Sequence, residues 1–166
     1  MNPITQRAKL LGQHLVRLQA QVCTAESCTG GGIAEAITRV PGSSAWFEAG
    51  YVTYSNRQKN VQLQVSDVLF RTVGAVSKDV VEAMARGAQR HSEARYAVAV
   101  SGVAGPDGGS VEKPVGTVWL AWADGEQCFA ELRLFAGDRD EVRRQTVEAA
   151  LDGLIKLCAG ENPDRG

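Results

Sequence analysis

A chain of 166 residues with 44% hydrophobic content can build one core of ordinary size. Eighteen lysines and arginines face nineteen acidic residues, a net charge of −1, which argues against a dedicated nucleic-acid binder with its basic excess. No run approaches the roughly 18 uninterrupted apolar residues of a membrane span, and the N-terminus lacks a signal-peptide core, so a soluble protein is expected.

In chain order, Ile4, Ala8, Leu11, Leu15 and Leu18 recur at steps of four and three and predict an amphipathic helix. Gln21–Ala25 reads as a short buried strand. The run Ala25-Glu26-Ser27-Cys28-Thr29-Gly30-Gly31-Gly32 is a tight turn, and Ile33–Arg39 continues as a helix. Pro41–Ser44 is a loop and Gly50–Tyr54 a second strand. Ser55–Val76 is mixed, with short helical pieces. Ser77 is placed to cap a helix carrying Val80, Val81, Met84, Ala85 and Ala88. Tyr96–Ser101 is a third, buried strand, and Gly102–Pro114 a second glycine-rich loop. Val115–Ala123 and Glu126–Phe135 are strands joined at Asp124-Gly125, a hairpin signal. Asp138 and Glu141 form a capping-box pattern for a last helix running to about Leu157, and Glu161–Gly166 reads as a frayed tail. Alternating strands and helices predict a single α/β domain over residues 1–166. Its expected architecture is three-layer α/β/α, around a mixed, mostly parallel sheet of about five strands with one antiparallel hairpin.

Chemistry concentrates in the glycine runs. A turn leading into a helix aims N–H groups and partial positive charge at a ligand, so Ser27 is either a nucleophile beside an anion nest or a helix cap. The two histidines, His14 and His91, fall on predicted helices outside both runs. This speaks against a Ser-His-Asp triad and a histidine metal site. The substitute base is lysine, active as such when its pKa falls. Lys9, Lys78 and Lys156 lie on predicted helices, whereas Lys59 follows the second strand, five residues after Tyr54. Ligands gather at the carboxyl ends of strands in α/β sheets, so Ser27 and the Tyr54–Lys59 segment can converge at one rim, with Arg57 near enough to depress Lys59. The ordinary alternative is an exposed lysine.

The second loop, Ser101–Ser110, opens on the same rim as an anion nest or a plain surface turn. It has neither a Walker nor a dinucleotide fingerprint. Arg143 and Arg144, near Arg139 at the start of the last helix, oppose the helix dipole. They serve an anion there or pair with Asp140, Glu141 or Glu148. The four cysteines, Cys23, Cys28, Cys128 and Cys158, form no CxxC pair and read as buried thiols of a reducing, cytoplasmic compartment.

Several strings together resemble the CinA C-terminal domain family, the nicotinamide-nucleotide amidohydrolases. They are Ala25–Gly31, Val40–Ser44, Tyr54–Lys59, Gly74–Ser77, Ser101–Ser110 with Lys113–Val118, and Gly137–Arg143. They occur in order from about residue 5 to 157, and their combination is specific where any one glycine string is weak. Ser101 stands where the family pattern has threonine, and Gly32 extends the glycine run. The resemblance implies hydrolysis of the carboxamide of nicotinamide mononucleotide to nicotinate mononucleotide and ammonia, without a metal or other cofactor. It implies Ser27, Tyr54 and Lys59 as catalytic residues and a homodimer as the assembly. The chain's length implies that the larger N-terminal domain of some members, with its pyrophosphatase activity, is absent. On this reading N–H groups of Thr29, Gly30 and Gly31 hold the oxyanion. Ser101, Gly105, Gly108, Gly109, Ser110 and Arg143 hold the rest of the substrate, its phosphate included. Neither nucleic acid nor membrane is an expected partner. The rival readings are an amidase for another small amide, and a non-catalytic nucleotide-binding or protein-interaction module linked to competence or DNA damage.

Overall fold

The computed structural model describes residues 2–164. The N-terminal helix α1 (Pro3–Leu18) is capped by Asn2, whose side chain accepts from the Ile4 and Thr5 N–H groups; Ile4, Ala8, Leu11 and Leu15 form its buried stripe. Strand β1 (Val22–Glu26) leads through the glycine turn into α2 (Gly32–Thr38), and a single 3₁₀ turn precedes β2 (Phe47–Val52). The stretch predicted as mixed contains α3 (Asn56–Leu63) and α4 (Asp67–Thr72), capped by Ser55 and Ser66. Helix α5 (Lys78–Ser92) is capped by Ser77 as expected and precedes β3 (Tyr96–Gly102). The hairpin β4 (Thr117–Asp124) and β5 (Gln127–Leu134) turns on Gly125 and Glu126, one residue later than the sequence pattern suggests. Helix α6 (Arg139–Cys158) carries the predicted capping box. The tail predicted as frayed buries Pro163, and Asp164 N–H donates to Asn162; residues 165 and 166 lie outside the described residues.

The sheet order is β2-β1-β3-β4-β5. β1 pairs in parallel with β2 and β3, while β4 runs antiparallel to both β3 and β5, so β4 alone opposes the other four strands. Antiparallel pairing is therefore not confined to the hairpin.

The two faces of the sheet differ in side-chain size, following the alternation of a strand. One face presents Tyr96, Val98, Val100, Val118, Leu120 and Trp122 to α1, α2 and α6. Trp122 is fully buried, its indole N–H donates to Ala150 O at 3.0 Å, and Gly153 of α6 makes room for the ring. The opposite face presents Cys23, Ala25, Ala97, Ala99, Ala121 and Ala123, small enough to seat α5 closely. Gly87 of α5 in turn lies against the Leu63 carbonyl; a Cβ there would stand 2.1 Å from that oxygen. Helix α3 thus docks backbone to backbone on α5, and this fixes where Lys59 can reach. Among the described residues no helix is long and apolar enough to cross a membrane.

Candidate active site

The carboxyl ends of the parallel strands β1, β2 and β3 share one rim, and each delivers a predicted residue to it. Ser27 follows β1, Tyr54 lies two residues beyond β2, and Ser101 sits buried at the end of β3. Ser27 N–H donates to Val100 O at 3.1 Å, and Thr53 N–H to Glu26 O at 2.9 Å, extending the sheet ladder to the serine itself.

Lys59 comes from the other layer. It is the fourth residue of α3, and its side chain is 1% exposed. Nζ stands 2.9 Å from Ser27 Oγ and donates to Tyr54 O at 2.9 Å. Burial favours the uncharged amine and pulls Lys59 from the ordinary lysine value down to about 8. Arg57, the cation expected to help, is exposed and is not the cause. A neutral amine has two N–H donors and one lone pair. With one N–H held by Tyr54 O, the lone pair can accept the Ser27 hydroxyl proton. Cys28, next to Ser27, is also buried, and desolvation pushes its thiol up to about 11, so it is no competing nucleophile.

Tyr54 reaches the pair through its main chain. Its ring is 58% exposed, and its hydroxyl accepts from Arg139 Nη2 at 3.1 Å. The phenol is therefore turned toward the outer rim, not onto the serine or the lysine.

The glycine turn is dense in hydrogen bonds. Gly30 N–H donates to Ser27 O and Gly32 N–H to Thr29 O, both at 3.0 Å. Gly30 and Gly31 take φ values of +60° and +103°, which side chains disfavour. Thr29 and Gly31 N–H groups donate to no described residue, while Gly30, also expected to face an oxyanion, has its N–H committed internally. The Thr29 hydroxyl is spent on Glu26 Oε1 at 2.5 Å. Arg143 is half-buried and donates Nε to Cys28 O at 3.2 Å and Nη2 to Thr29 O at 3.1 Å. It is thus brought to the first glycine turn and not to the second loop. Arg144 pairs with Glu148, the surface alternative.

In the second loop Gly105, Gly108 and Gly109 all take positive φ, and residues 106–112 are exposed. Ser110 Oγ accepts from Lys113 N–H at 3.0 Å. The cation that touches this loop is Arg139, whose Nη1 donates to Gly105 O at 2.7 Å. A cavity of about 510 Å³ lies beside it, lined by Pro106, Val115 and Arg139 among others.

Sequence reasoning passed over Glu26 and Arg139. Glu26 had a readable signal, a carboxylate ending an otherwise uncharged buried strand. Arg139 had none, because its partners are two backbone or phenol oxygens far away in sequence.

A three-layer α/β domain with a buried serine–lysine pair at the carboxyl rim of its parallel strands is the class that fold and site define. The profile of the CinA C-terminal domain matches residues 4–158, and the chain belongs to that family. Nicotinamide-nucleotide amidohydrolase PncC of Pseudomonas putida is 74% identical over 157 residues, covering 95% of this chain and 98% of that protein. The protein of that name from Escherichia coli K12 is 51% identical, covering 91% and 92%. Among solved structures, the competence/damage inducible protein CihA from Agrobacterium tumefaciens superposes with a TM-score of 0.91 at 43% identity. That superposition covers 95% of this chain and 96% of the other. A CinA superfamily protein from Klebsiella pneumoniae gives 0.92 at 34% identity, covering 96% and 99%.

Proposed function

We propose that the protein is a nicotinamide-nucleotide amidohydrolase that cleaves the carboxamide of nicotinamide mononucleotide through an acyl-serine intermediate. The observation that carries this reading is the buried contact of Lys59 Nζ with Ser27 Oγ at 2.9 Å, on a lysine that burial brings to about 8. The names of the two amidohydrolase relatives supply the substrate.

Ser27 Oγ attacks the carboxamide carbon while its proton passes to Lys59 Nζ. The carbonyl π pair moves to oxygen, where the N–H groups of Thr29 and Gly31 are the available donors. Collapse of the tetrahedral species breaks the C–N bond, and Lys59 returns the proton to the leaving nitrogen, which departs as ammonia. Water then attacks the ester with Lys59 again as base, releasing nicotinate mononucleotide and the free serine. Tyr54 serves by its carbonyl, which orients the amine. The phosphate falls to the outer rim, where Arg139, the Tyr54 phenol and the Gly105–Ser110 loop meet. Ser101, buried at the end of β3, lies on the same rim.

The test is ammonia release from nicotinamide mononucleotide by the parent protein, Ser27→Ala and Lys59→Ala. Each variant is expected to lose roughly 10³-fold or more in kcat. Near-parental turnover by either variant overturns the pair. A stoichiometric complex with the nucleotide and no ammonia from the parent replaces the enzyme by a binding module. Equal efficiency on nicotinamide riboside would make this an amidase without a phosphate requirement.

A further inference from the structure

The turn that carries Ser27 is gripped from two sides by charged side chains that have no hydrogen bond to Ser27 or Lys59. On the inner side Glu26 is 0% exposed. Its Oε1 accepts from Thr29 Oγ1 at 2.5 Å and from Ile33 N–H at 2.8 Å, and its Oε2 from Ala34 N–H at 3.0 Å. A carboxylate buried this deeply is costly unless donors surround it, and three do so here, the Thr29 hydroxyl from the turn and two N–H groups from the start of α2. Glu26 belongs to β1, and its own backbone is held in the ladder by Thr53 N–H. It therefore ties the start of α2 to the sheet, as a cap placed within the turn itself could not.

On the outer side Arg143 draws the carbonyls of Cys28 and Thr29 toward α6. In a planar trans peptide the C=O and the following N–H point opposite ways. Holding the Cys28 carbonyl on Arg143 therefore sends the Thr29 N–H away from α6. Holding the Thr29 carbonyl likewise turns the Gly30 N–H inward, where it meets Ser27 O. The two grips leave the turn one arrangement, with Ser27 Oγ on Lys59 and Thr29 N–H unspent.

We propose that Glu26 and Arg143 are positioning residues for the acylation step, clamping the Ser27–Gly32 turn so that the nucleophile and the oxyanion donor keep a fixed separation. The inference rests on the amidohydrolase reading for its substrate but not for its geometry. It assigns Arg143 to the turn and not to the phosphate.

The experiment compares parent, Glu26→Gln, Arg143→Ala and Arg143→Lys by kcat and KM for ammonia release from nicotinamide mononucleotide. The pH profile, the melting temperature and the rate at which phenylmethanesulfonyl fluoride sulfonylates Ser27 are recorded alongside, with Ser27→Ala as the blank. In Glu26→Gln the amide NH₂ faces the Ala34 N–H, donor against donor. The expectation is a fall in kcat of about 10- to 100-fold and a parallel fall in sulfonylation. KM should stay within about threefold of the parent, with the pH midpoint unmoved near the Lys59 value of about 8. Arg143→Lys should recover part of what Arg143→Ala loses. The proposal is overturned if kcat per folded molecule stays within about twofold of parent while only the melting temperature falls. It is overturned equally if the pH midpoint moves, or if Arg143→Ala raises KM for the nucleotide and leaves the riboside unaffected. If Glu26→Gln does not fold, the Arg143 pair decides alone. A parent that is sulfonylated at Ser27 but releases no ammonia removes the substrate reading. The sulfonylation rates of the variants then still decide the clamp.

Discussion

The turn Ser27–Gly32 and the loop Gly102–Pro114 leave adjacent parallel strands at the same rim, and both are rich in glycines of positive φ. The first is short, buried over Ser27–Thr29, and it is bonded to the sheet, to α2 and to α6 at almost every residue. The second is anchored at its base, where Val103 and Gly116 bond across to each other and Val103 to Thr117, and by Arg139 at Gly105 and Lys113 at Val73 O. Between those anchors residues 106–112 are exposed. Glycine serves different ends in the two places. In the first it lets a crowded backbone turn beside Ser27, as the proposed charge stabilisation by backbone N–H groups requires. In the second it lets an exposed surface segment reverse direction between its anchors.

The largest effect that can break this comparison is at Lys59, the residue the first turn is built to meet. Lys59→Met fills similar volume, and it should abolish ammonia release while raising stability by about 1–3 kcal/mol at pH 7. The sign follows from burial. With the folded value near 8 and the unfolded one at 10.5, the unfolded chain holds more protons between those limits, so parental stability rises with pH across that window. Below pH 8 the full cost of charging a buried amine applies. The methionine variant should therefore gain most in that range, and its advantage should disappear above pH 10.5 in urea titrations. In the parent, kcat/KM should climb about tenfold from pH 7 to pH 9 as the amine deprotonates. Activity that is flat over that range would remove Lys59 as the base.

Next in size is a matched pair of glycine substitutions. Gly31→Ala and Gly108→Ala both put a side chain at high positive φ, +103° and +86°, with the nearest atoms at 3.6 and 3.7 Å, so strain and not a clash decides the cost. Each should destabilise by about 1–3 kcal/mol. The kinetics should separate them. Gly31→Ala is expected to lower kcat by about 10- to 100-fold, because it disturbs a peptide N–H at the nucleophile. Gly108→Ala should leave kcat within about twofold and act on KM, as a change in loop closure does. Equal kinetic losses would show that the two turns are one functional unit.

Local pattern made most of this architecture legible. The stripe of α1, the cap of α5, the capping box of α6 and the hairpin each rest on neighbours within a few residues, so the sequence carries them directly. Ser27 and Lys59 were legible as candidates, Lys59 by its place after a strand end and, against the alternative of an exposed lysine, by the family resemblance. What stayed hidden depends on contacts between distant segments. The burial of Lys59 follows from Gly87 admitting the Leu63 carbonyl, and the turn of the Tyr54 phenol outward follows from Arg139. Arg143 was legible as a cation, but only as one facing an anion or an acidic side chain of its own helix. That its partners are carbonyls of the glycine turn required the packing of α6 against α2.

The smallest expected effect tests the outer rim alone. Arg139 is exposed and joins the Tyr54 hydroxyl to the Gly105 carbonyl, so removing it frees the second loop without touching the first turn. Arg139→Ala should shift the melting temperature little, since exposed contacts of this kind contribute about 1 kcal/mol or less. Its effect should fall on KM for nicotinamide mononucleotide, raised about 3- to 10-fold with kcat near the parent value, and much less on the riboside. If instead kcat falls and KM holds, the arginine acts through Tyr54 on the carbonyl that orients Lys59. The outer rim would then belong to the same rigid assembly as the serine turn.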